Sequence, residues 1–509
     1  MPDFALWSFG LARATVLVLT AGCAPAASSG VSLAIFGEAP VAITDARFLS
    51  VALDTSQLVG GRWWSPDAHV ESGFGQTQLA PYDFTRSKLR VLAAALSPAF
   101  LRVGGSQADL TYYDLSDGPV LVAPTGFDAV LTRAQWLAMV DFAKASKFQV
   151  AFTLNAGAGP RDAKHQWQAD QARTLVEFAA ARADPVEVWE LGNEINGAQF
   201  VLGAAIDGRQ YAADFTVARG LLDELAPKAS LSGPSSAFWP LLGEVSPVLP
   251  EFLAKAGGLA GVVSWHYYPQ ESRRCPVHVR AAGPEVMLDD RALDDVIGWA
   301  SALRTQTDAL APNAALWLGE TGNAQCGGEP GVSDRFAGTL WWLDELGAMA
   351  RAGQRVVVRQ TLSGASYGLI DDATLEPRPD YFASVLWKQL MGARVLDVEV
   401  APKKAVRAYA HCAQGGGVAL LVINIGRPSV ELHVPAGLRV GVVERWELSA
   451  EALDSAQLRL NGVALEVDAT GQLPSLKGEV GVDAAQPVPG RSAVFLRFPQ
   501  VQLAACEAL

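Results

Sequence analysis

The sequence predicts a (β/α)8 barrel joined to a C-terminal antiparallel β-sandwich. Three observations carry that prediction. From about Thr85 to Leu390, apolar strand-like runs alternate with amphipathic helical stretches, the pattern of parallel strands linked by crossover helices. Polar residues gather where the apolar runs stop, which is the end at which a barrel builds its site. After Leu390 the runs become short and alternating, separated by Gly, Asn and Pro turns, as in antiparallel sheets.

Strand-like runs at Val31–Phe36 and Phe48–Leu53 come first, the second ending in Asp54. Ala99–Val103 reads as a strand that stops at Gly104-Gly105, and Ala134–Ala145 has apolar residues at helical spacing. Strand Gln149–Leu154 ends in Asn155, helix Asp170–Ala183 follows, and strand Val186–Leu191 runs into Gly-Asn-Glu. Helix Tyr211–Leu225, strands Val262–Tyr268 and Ala315–Gly319, helix Arg335–Arg351 and strand Val356–Gln360 complete the alternation. A doubly wound open sheet is disfavoured because no Gly-rich phosphate turn follows the first strands. In the last region, Ala405–His411, Val418–Asn424, Val430–Val434, Val440–Glu447, Gln457–Leu460 and Val494–Phe498 read as sandwich strands. The expected organisation is 1–23 export signal, 24–47 spacer and a strand completing the sandwich, 48–390 barrel, and 391–509 sandwich.

Half of the 509 residues are apolar and 18 % are charged, ample for a packed core. The net charge of −13, with no basic stripe to offset it, argues against nucleic acid as a partner. Arg13 precedes the apolar run Ala14–Thr20, too short to span a bilayer and suited to an export signal. Leu19-Thr-Ala-Gly-Cys23 resembles a bacterial lipoprotein junction, with Cys23 as the lipidated residue and a possible lipid anchor to a membrane. Plain cleavage near Ala24–Ala27 is the alternative. Both expectations place the mature protein outside the cytoplasm: periplasm, cell surface or medium. Cys275, Cys326, Cys412 and Cys506 remain, an even number that suggests two disulfides with three possible pairings, or four buried thiols.

Chemistry enters with two stretches, Trp189-Glu-Leu-Gly-Asn-Glu-Ile-Asn196 and Leu316-Trp-Leu-Gly-Glu-Thr-Gly-Asn323. Each is an apolar run that stops at Gly-Asn-Glu or Gly-Glu, delivering Glu194 and Glu320 to the barrel mouth from well-separated strands. Paired carboxylates so placed suit glycoside hydrolysis, in which one protonates the leaving oxygen and the other attacks the anomeric carbon. Glu190 lies four residues before Glu194, an even spacing that would put both on one strand face, and is expected to be buried and ion-paired. No cofactor is expected, and the six histidines show no metal-ligand spacing.

At these residues the chain resembles the heparanase-type β-glucuronidases of glycoside hydrolase family 79. The resemblance also runs through Leu49-Ser-Val-Ala-Leu-Asp54, Leu96-Ser-Pro-Ala-Phe-Leu-Arg-Val-Gly-Gly-Ser106, Trp265-His-Tyr-Tyr268, Val356-Val-Val-Arg-Gln360, Pro379-Asp-Tyr-Phe382 and Gln457–Leu465. It implies a retaining mechanism with Glu194 as acid/base and Glu320 as nucleophile. Asn193 would bind the substrate 2-hydroxyl, Arg102 would keep Glu320 ionised, and His266 and Tyr268 would orient the nucleophile. Asp54 and Ser106 match positions that contact sugar hydroxyls. The glucuronate carboxylate would be met by backbone N–H groups around Cys326, Gly327 and Gly328 and by Tyr367. Relatives have Tyr-Gly-Gly-Gly in that loop, where this chain has Gln325-Cys-Gly-Gly328. A Cys275–Cys326 bridge between adjacent βα loops and a Cys412–Cys506 bridge at the family's sandwich cysteines are implied.

The implied partner is a glucuronate-containing polysaccharide or oligosaccharide, acted on by a monomer. Asp109 to Trp136 carries no long insertion, so activity as one polypeptide is implied. Two enzymatic readings follow: endo-acting cleavage of heparan-type chains, favoured by the whole-chain resemblance, and exo-acting removal of terminal glucuronate. The scarcity of basic residues in Ser235–Leu242 and Asn196–Leu202 favours the second. A surface carbohydrate-binding protein on a dead barrel would need a lost carboxylate, and both are present.

Overall fold

The computed structural model describes residues 29–65, 75–118, 122–201, 205–402, 405–482 and 485–507. The export segment and Cys23 lie outside the described residues. Eight parallel strands form the barrel: β1 (Leu49–Asp54), β2 (Ala99–Gly104), β3 (Phe148–Leu154), β4 (Val186–Leu191), β5 (Ser230–Trp239), β6 (Val262–Tyr267), β7 (Ala315–Thr321) and β8 (Val356–Arg359). The ring closes because β4 pairs with β5 (Val188 opposite Ser230) and β8 pairs with β1 (Val357 opposite Leu49).

Strand parity explains what fills the barrel. Ala52, Phe100, Ala151, Val188, Val262, Trp317 and Val356 come from seven strands and form one small apolar cluster. Residues two further along each strand share that inward face. On β2, β3 and β4 they are Arg102, Thr153 and Glu190, all buried. A polar layer therefore sits directly on an apolar plug. The opposite parity faces the surrounding helices, where Val51, Leu101, Val150 and Trp189 join the main core.

β5 is absent from the sequence-derived strands. Its residues, Ser-Leu-Ser-Gly-Pro-Ser-Ser-Ala-Phe-Trp, look like a loop, yet seven of the first eight positions after Ser230 are buried. The serines fit because space is tight. A side chain on Gly233 would collide with the Tyr211 hydroxyl at 2.0 Å.

The C-terminal strands hydrogen-bond into one largely antiparallel sheet that curls around its own core. Ser29–Phe36 joins it, antiparallel to Met391–Ala401 and parallel to Val430–His433. On strand Val418–Asn424, Leu420 and Val422 face the sandwich core, while Ala419, Leu421 and Ile423 face the barrel. Packing at that seam is close: a Cβ on Gly347, in barrel helix Phe336–Arg351, would lie 2.2 Å from the Tyr409 ring. Arg407 ties the two sides by pairing with Asp294 at 2.8 Å and with buried Asp344.

Both implied disulfides are present, Cys275–Cys326 and Cys412–Cys506, with Cα–Cα distances of 5.6 and 5.4 Å. The second clamps the C-terminal turn Ala504–Cys506 onto the sheet across a sequence separation of 94. Closing a loop of that length restricts the unfolded chain by about 4–5 kcal/mol in the chain-entropy picture. Replacing Cys412 and Cys506 by Ala is therefore expected to lower the calorimetric unfolding midpoint by several degrees, with glycosidase activity at 25 °C retained.

Candidate active site

Glu320 reaches the barrel interior through a slip in register. Trp317 points inward, so strict alternation would aim Gly319 inward and Glu320 outward. Instead Trp265 pairs with Leu318 and His266 with Glu320, which leaves Gly319 as an extra residue. The neighbour β8 shows the same slip between Leu318 and Thr321. Such a bulge re-aims the following side chain. Only glycine fits the extra position, because a Cβ there would approach Ser264 Oγ to 2.1 Å.

Glu194 arrives differently. β4 ends at Leu191, and the chain turns through Gly192 (φ 70°) and Glu194 itself (φ 48°). A left-handed backbone at a non-glycine residue costs on the order of 1–3 kcal/mol and persists only where surroundings enforce it. Here Glu194 N donates to Ser235 O at 3.1 Å, and Asp109 braces the residue before it. Its carboxylate accepts from Asn193 N at 3.1 Å and Ala156 N at 3.0 Å. The expectation that Glu194 shares a strand face with Glu190 does not hold, since Glu194 lies beyond the strand. Glu190 is buried and ion-paired, as expected.

Around Glu320 the hydrogen bonds converge. Arg102 Nη1 donates to Oε2 at 2.7 Å and Tyr268 OH donates to Oε1 at 2.6 Å. Arg102 Nη2 donates to Glu190 Oε1 and Asn193 Oδ1 at 2.7 and 2.8 Å. Gly105 N also donates to Asn193 Oδ1, at 3.2 Å, which leaves the amide NH2 of Asn193 to meet a ligand. Burial pushes the Glu320 pKa up, but positive charge at His266 and Arg102 and hydrogen bonds from Tyr268 and Arg102 outweigh it. The net effect holds Glu320 below the ordinary carboxylate range. His266 Nδ1 lies 3.1 Å from Glu194 and 3.9 Å from Glu320. It sits closer to the residue it was not expected to orient.

A carboxylate oxygen of each glutamate and a His266 ring nitrogen all lie within 4.8 Å of one another. Such a trio could hold a cation, yet a guanidinium already occupies the Glu320 side and a hydrogen bond links the other two. The side chain of Glu194 is 24 % exposed and that of Glu320 9 %. One carboxyl is thus open to protons from solvent, while the other is held charged and directed. An arrangement of this kind can protonate a leaving oxygen with one group and attack carbon with the other.

Asp54, Ser106, Asn193, Glu194, Tyr268, Glu320, Cys326 and Tyr367 all line one cavity of about 230 Å³. Arg102 and His266 are buried beneath it. Gly327 does not line the cavity; it lies under Trp64, against whose Cβ a side chain at Gly327 would stand at 2.4 Å. Burial and the nearby charge of Glu320 push Asp54 up to about 7, against the hydrogen bond from Ser56 N that caps the following turn.

Sequence reasoning missed Arg62, Trp63, Trp64 and Gln76, which line the cavity from a short hairpin, Arg62–Trp64 paired with Gln76–Gln78. The Arg-Trp-Trp run after Gly60-Gly61 was the available signal. Asp109 was also missed, because nothing local marks a capping carboxylate whose partners are far along the chain.

The sequence profile of glycosyl hydrolase family 79, N-terminal domain, matches residues 30–347. The chain belongs to glycoside hydrolase family 79. Like the family, it is a glycoside hydrolase. Mouse heparanase is 29 % identical, covering 98 % of this chain and 99 % of the relative. Chicken heparanase is 30 % identical over 86 % and 89 %, and an Arabidopsis thaliana heparanase-like protein 1 is 27 % identical over 94 % of each. Human inactive heparanase-2 is 27 % identical, over 91 % of this chain and 86 % of its own. Among solved structures, a GH51 arabinofuranosidase from Xanthomonas axonopodis pv. citri superposes with a TM-score of 0.65 at 15 % identity, covering 92 % of this chain and 99 % of its own. A 4-O-α-L-rhamnosyl-β-D-glucuronidase from Fusarium oxysporum does so at 0.63 and 17 %, covering 92 % and 100 %. These structural likenesses bear out the expected barrel fold. No helix among the described residues is long and apolar enough to cross a membrane.

Tyr268→Phe removes one donor from Glu320. The pKa of Glu320 should then rise, because that hydrogen bond favours the charged form. The acidic limb of the kcat/KM profile is expected to move to higher pH by about one unit. A pH series against the unmodified enzyme, with kcat and KM separated, measures it.

Proposed function

We propose that this family 79 enzyme is a retaining β-D-glucuronidase of heparanase type, cleaving glucuronosyl linkages in heparan-sulfate-like polysaccharide in the endo mode. The observation that carries the chemistry is the approach of Glu194 and Glu320 within 4.8 Å. This suits the ~5–5.5 Å carboxyl spacing of retaining enzymes and falls short of the wider gap that inverting enzymes need for a water. In this reading Glu320, held ionised by Arg102 and Tyr268, attacks the anomeric carbon from one face. Glu194 protonates the glycosidic oxygen and then, as a base, activates the water that releases the sugar. Asn193 presents its NH2 to the 2-hydroxyl, a contact that strengthens as the ring approaches an oxocarbenium ion.

The glucuronate specificity rests on the similarity to heparanases along nearly the whole chain. Tyr367 and the backbone around Cys326 and Gly328 would take the sugar carboxylate. The loop that carries Cys326 and Gly328 is held to its neighbour by the Cys275–Cys326 bridge and by Ser272 and Arg273 N on the Glu329 carboxylate, each at 2.8 Å.

An exo mode is the second reading, favoured by one observation. Two arginines near the mouth are occupied: Arg161 pairs with Asp214 at 2.8 Å and Arg273 with Glu329 at 2.5 Å. A polymer groove for sulfates would keep such charges free.

The deciding experiment digests heparan sulfate and p-nitrophenyl β-glucuronide in parallel at mildly acidic pH, with NMR of the first-formed sugar. The proposal expects early loss of polymer length and a β-configured product. Rapid nitrophenol release with an intact polymer would instead select the exo reading. Glu320→Gln is expected to abolish turnover, and Glu194→Gln to lower kcat on the polymer by on the order of 10²–10⁴.

A further inference from the structure

Arg359, the last residue of β8, is a cation where the strand pattern calls for an apolar side chain. Val356 and Val358 fill the barrel interior, whereas Val357 faces the helical layer and joins the main core. Arg359 shares the parity of Val357 and is fully buried. Its guanidinium carbon lies 5.1 and 5.0 Å from the ring centroids of Trp341 and Trp342, on helix Phe336–Arg351. Asp380, at the start of helix Pro379–Leu390, supplies a countercharge at 2.6 Å. Neither Nε nor Nη1 has a hydrogen-bond partner among the described residues, and burial pushes the pKa of Arg359 below the ordinary arginine value. A buried pair so incompletely satisfied stabilises little, and apolar side chains of similar volume often replace such a pair without loss.

The pair does hold the main chain of Tyr367. Arg359 Nη2, the nitrogen that meets Asp380, also donates to Tyr367 O at 2.8 Å. Arg378 Nη1 donates to the next carbonyl, Gly368 O, at 2.9 Å. On the preceding side, Ser366 N donates to Gly327 O at 2.7 Å, which seats Tyr367 against the turn that follows Cys326. Contact there is close, since a Cβ on Gly328 would stand 2.8 Å from Tyr367 N. With its carbonyl turned to Arg359, Tyr367 lays its ring beside that of Tyr268, centroids 6.2 Å apart, at the cavity wall.

We propose that Arg359, anchored by Asp380, is a positioning residue that sets the Tyr367 phenol for the glucuronate carboxylate and so selects acidic over neutral sugars. The inference rests on the glucuronidase reading and carries part of the specificity out of the cavity, into the layer between strand and helices. Arg359 does not line the cavity, so it acts on the sugar through Tyr367. A displacement of about 1 Å is enough to spoil a directed hydrogen bond from the phenol to a carboxylate.

The test uses two competitive inhibitors: an iminosugar of glucuronate configuration that carries the carboxylate, and its neutral hydroxymethyl counterpart. Arg359→Met combined with Asp380→Leu removes both charges together, and a calorimetric scan checks that this variant folds. The carboxylate-bearing inhibitor is expected to bind about 10-fold more weakly, and the neutral one to change by less than about 2-fold. On a Tyr367→Phe background the same replacement should cost the carboxylate-bearing inhibitor no more than about 2-fold, because the hydroxyl that Arg359 serves is gone. Arg359→Lys keeps a cation beside Asp380 without the planar fork. It should show a smaller loss with the same selectivity, and it decides the matter if the paired replacement does not fold. Equal losses on both inhibitors, no loss, or a loss undiminished by Tyr367→Phe would overturn the proposal. The glucuronidase reading is tested separately, by nitrophenol release from p-nitrophenyl β-glucuronide with the unmodified protein.

Discussion

The buried guanidinium of Arg102 is the constraint on which the site depends. Three charges, those of Arg102, Glu190 and Glu320, are withdrawn from water inside a barrel whose next layer is apolar. Removing one member of such a set typically costs about 3–5 kcal/mol, because the others are left buried and unpaired. Arrangement around it follows. Thr153 donates to Glu190 at 2.7 Å, and Gly104 must lack a side chain, since a Cβ would stand 2.8 Å from Arg102 Cζ. Asn193 is turned by its bond to Arg102 so that its NH2 faces the cavity. The same cation that satisfies the barrel interior thus fixes the charge on Glu320 and the orientation of the group beside it.

Glu194 and Glu320 are treated unequally by the fold, and that inequality is what acid-and-nucleophile chemistry requires. Glu320 is delivered by a bulge on a central strand, sits deep and is hydrogen-bonded on both oxygens. Glu194 is delivered by a left-handed turn, sits higher and meets only His266 among its described side-chain partners. Environments this different support the proposed roles, acid/base for Glu194 and nucleophile for Glu320. The fold alone would not: human inactive heparanase-2 matches this chain over 91 % of its length.

How legible all this was depended on where each signal lay. The strand-end glutamates could be read because an apolar run followed by Gly-Glu is a local pattern. Arg102 could be placed at a strand end, just before Gly104-Gly105, but its role came from the family resemblance. β5 could not, because Gly233-Pro234 and its serines imitate a loop, and only tertiary crowding against Tyr211 explains them. The bulge at Gly319 is invisible without the neighbouring strand, so inward aim of Glu320 had to be assumed. Asp109 and the Arg62–Trp64 hairpin escaped for a related reason: their partners are distant in sequence. The disulfide pairing came from the family resemblance, since four cysteines alone permit three arrangements.

The division of labour between the two glutamates is most directly tested by trapping. A 2-deoxy-2-fluoro-β-D-glucuronyl fluoride slows release of any covalent intermediate, and peptide mass spectrometry then locates the sugar. A single adduct is expected on the peptide carrying Glu320, formed more slowly in Tyr268→Phe at low pH. An adduct on the Glu194 peptide, or turnover of the probe with inverted configuration and no adduct at all, would contradict it.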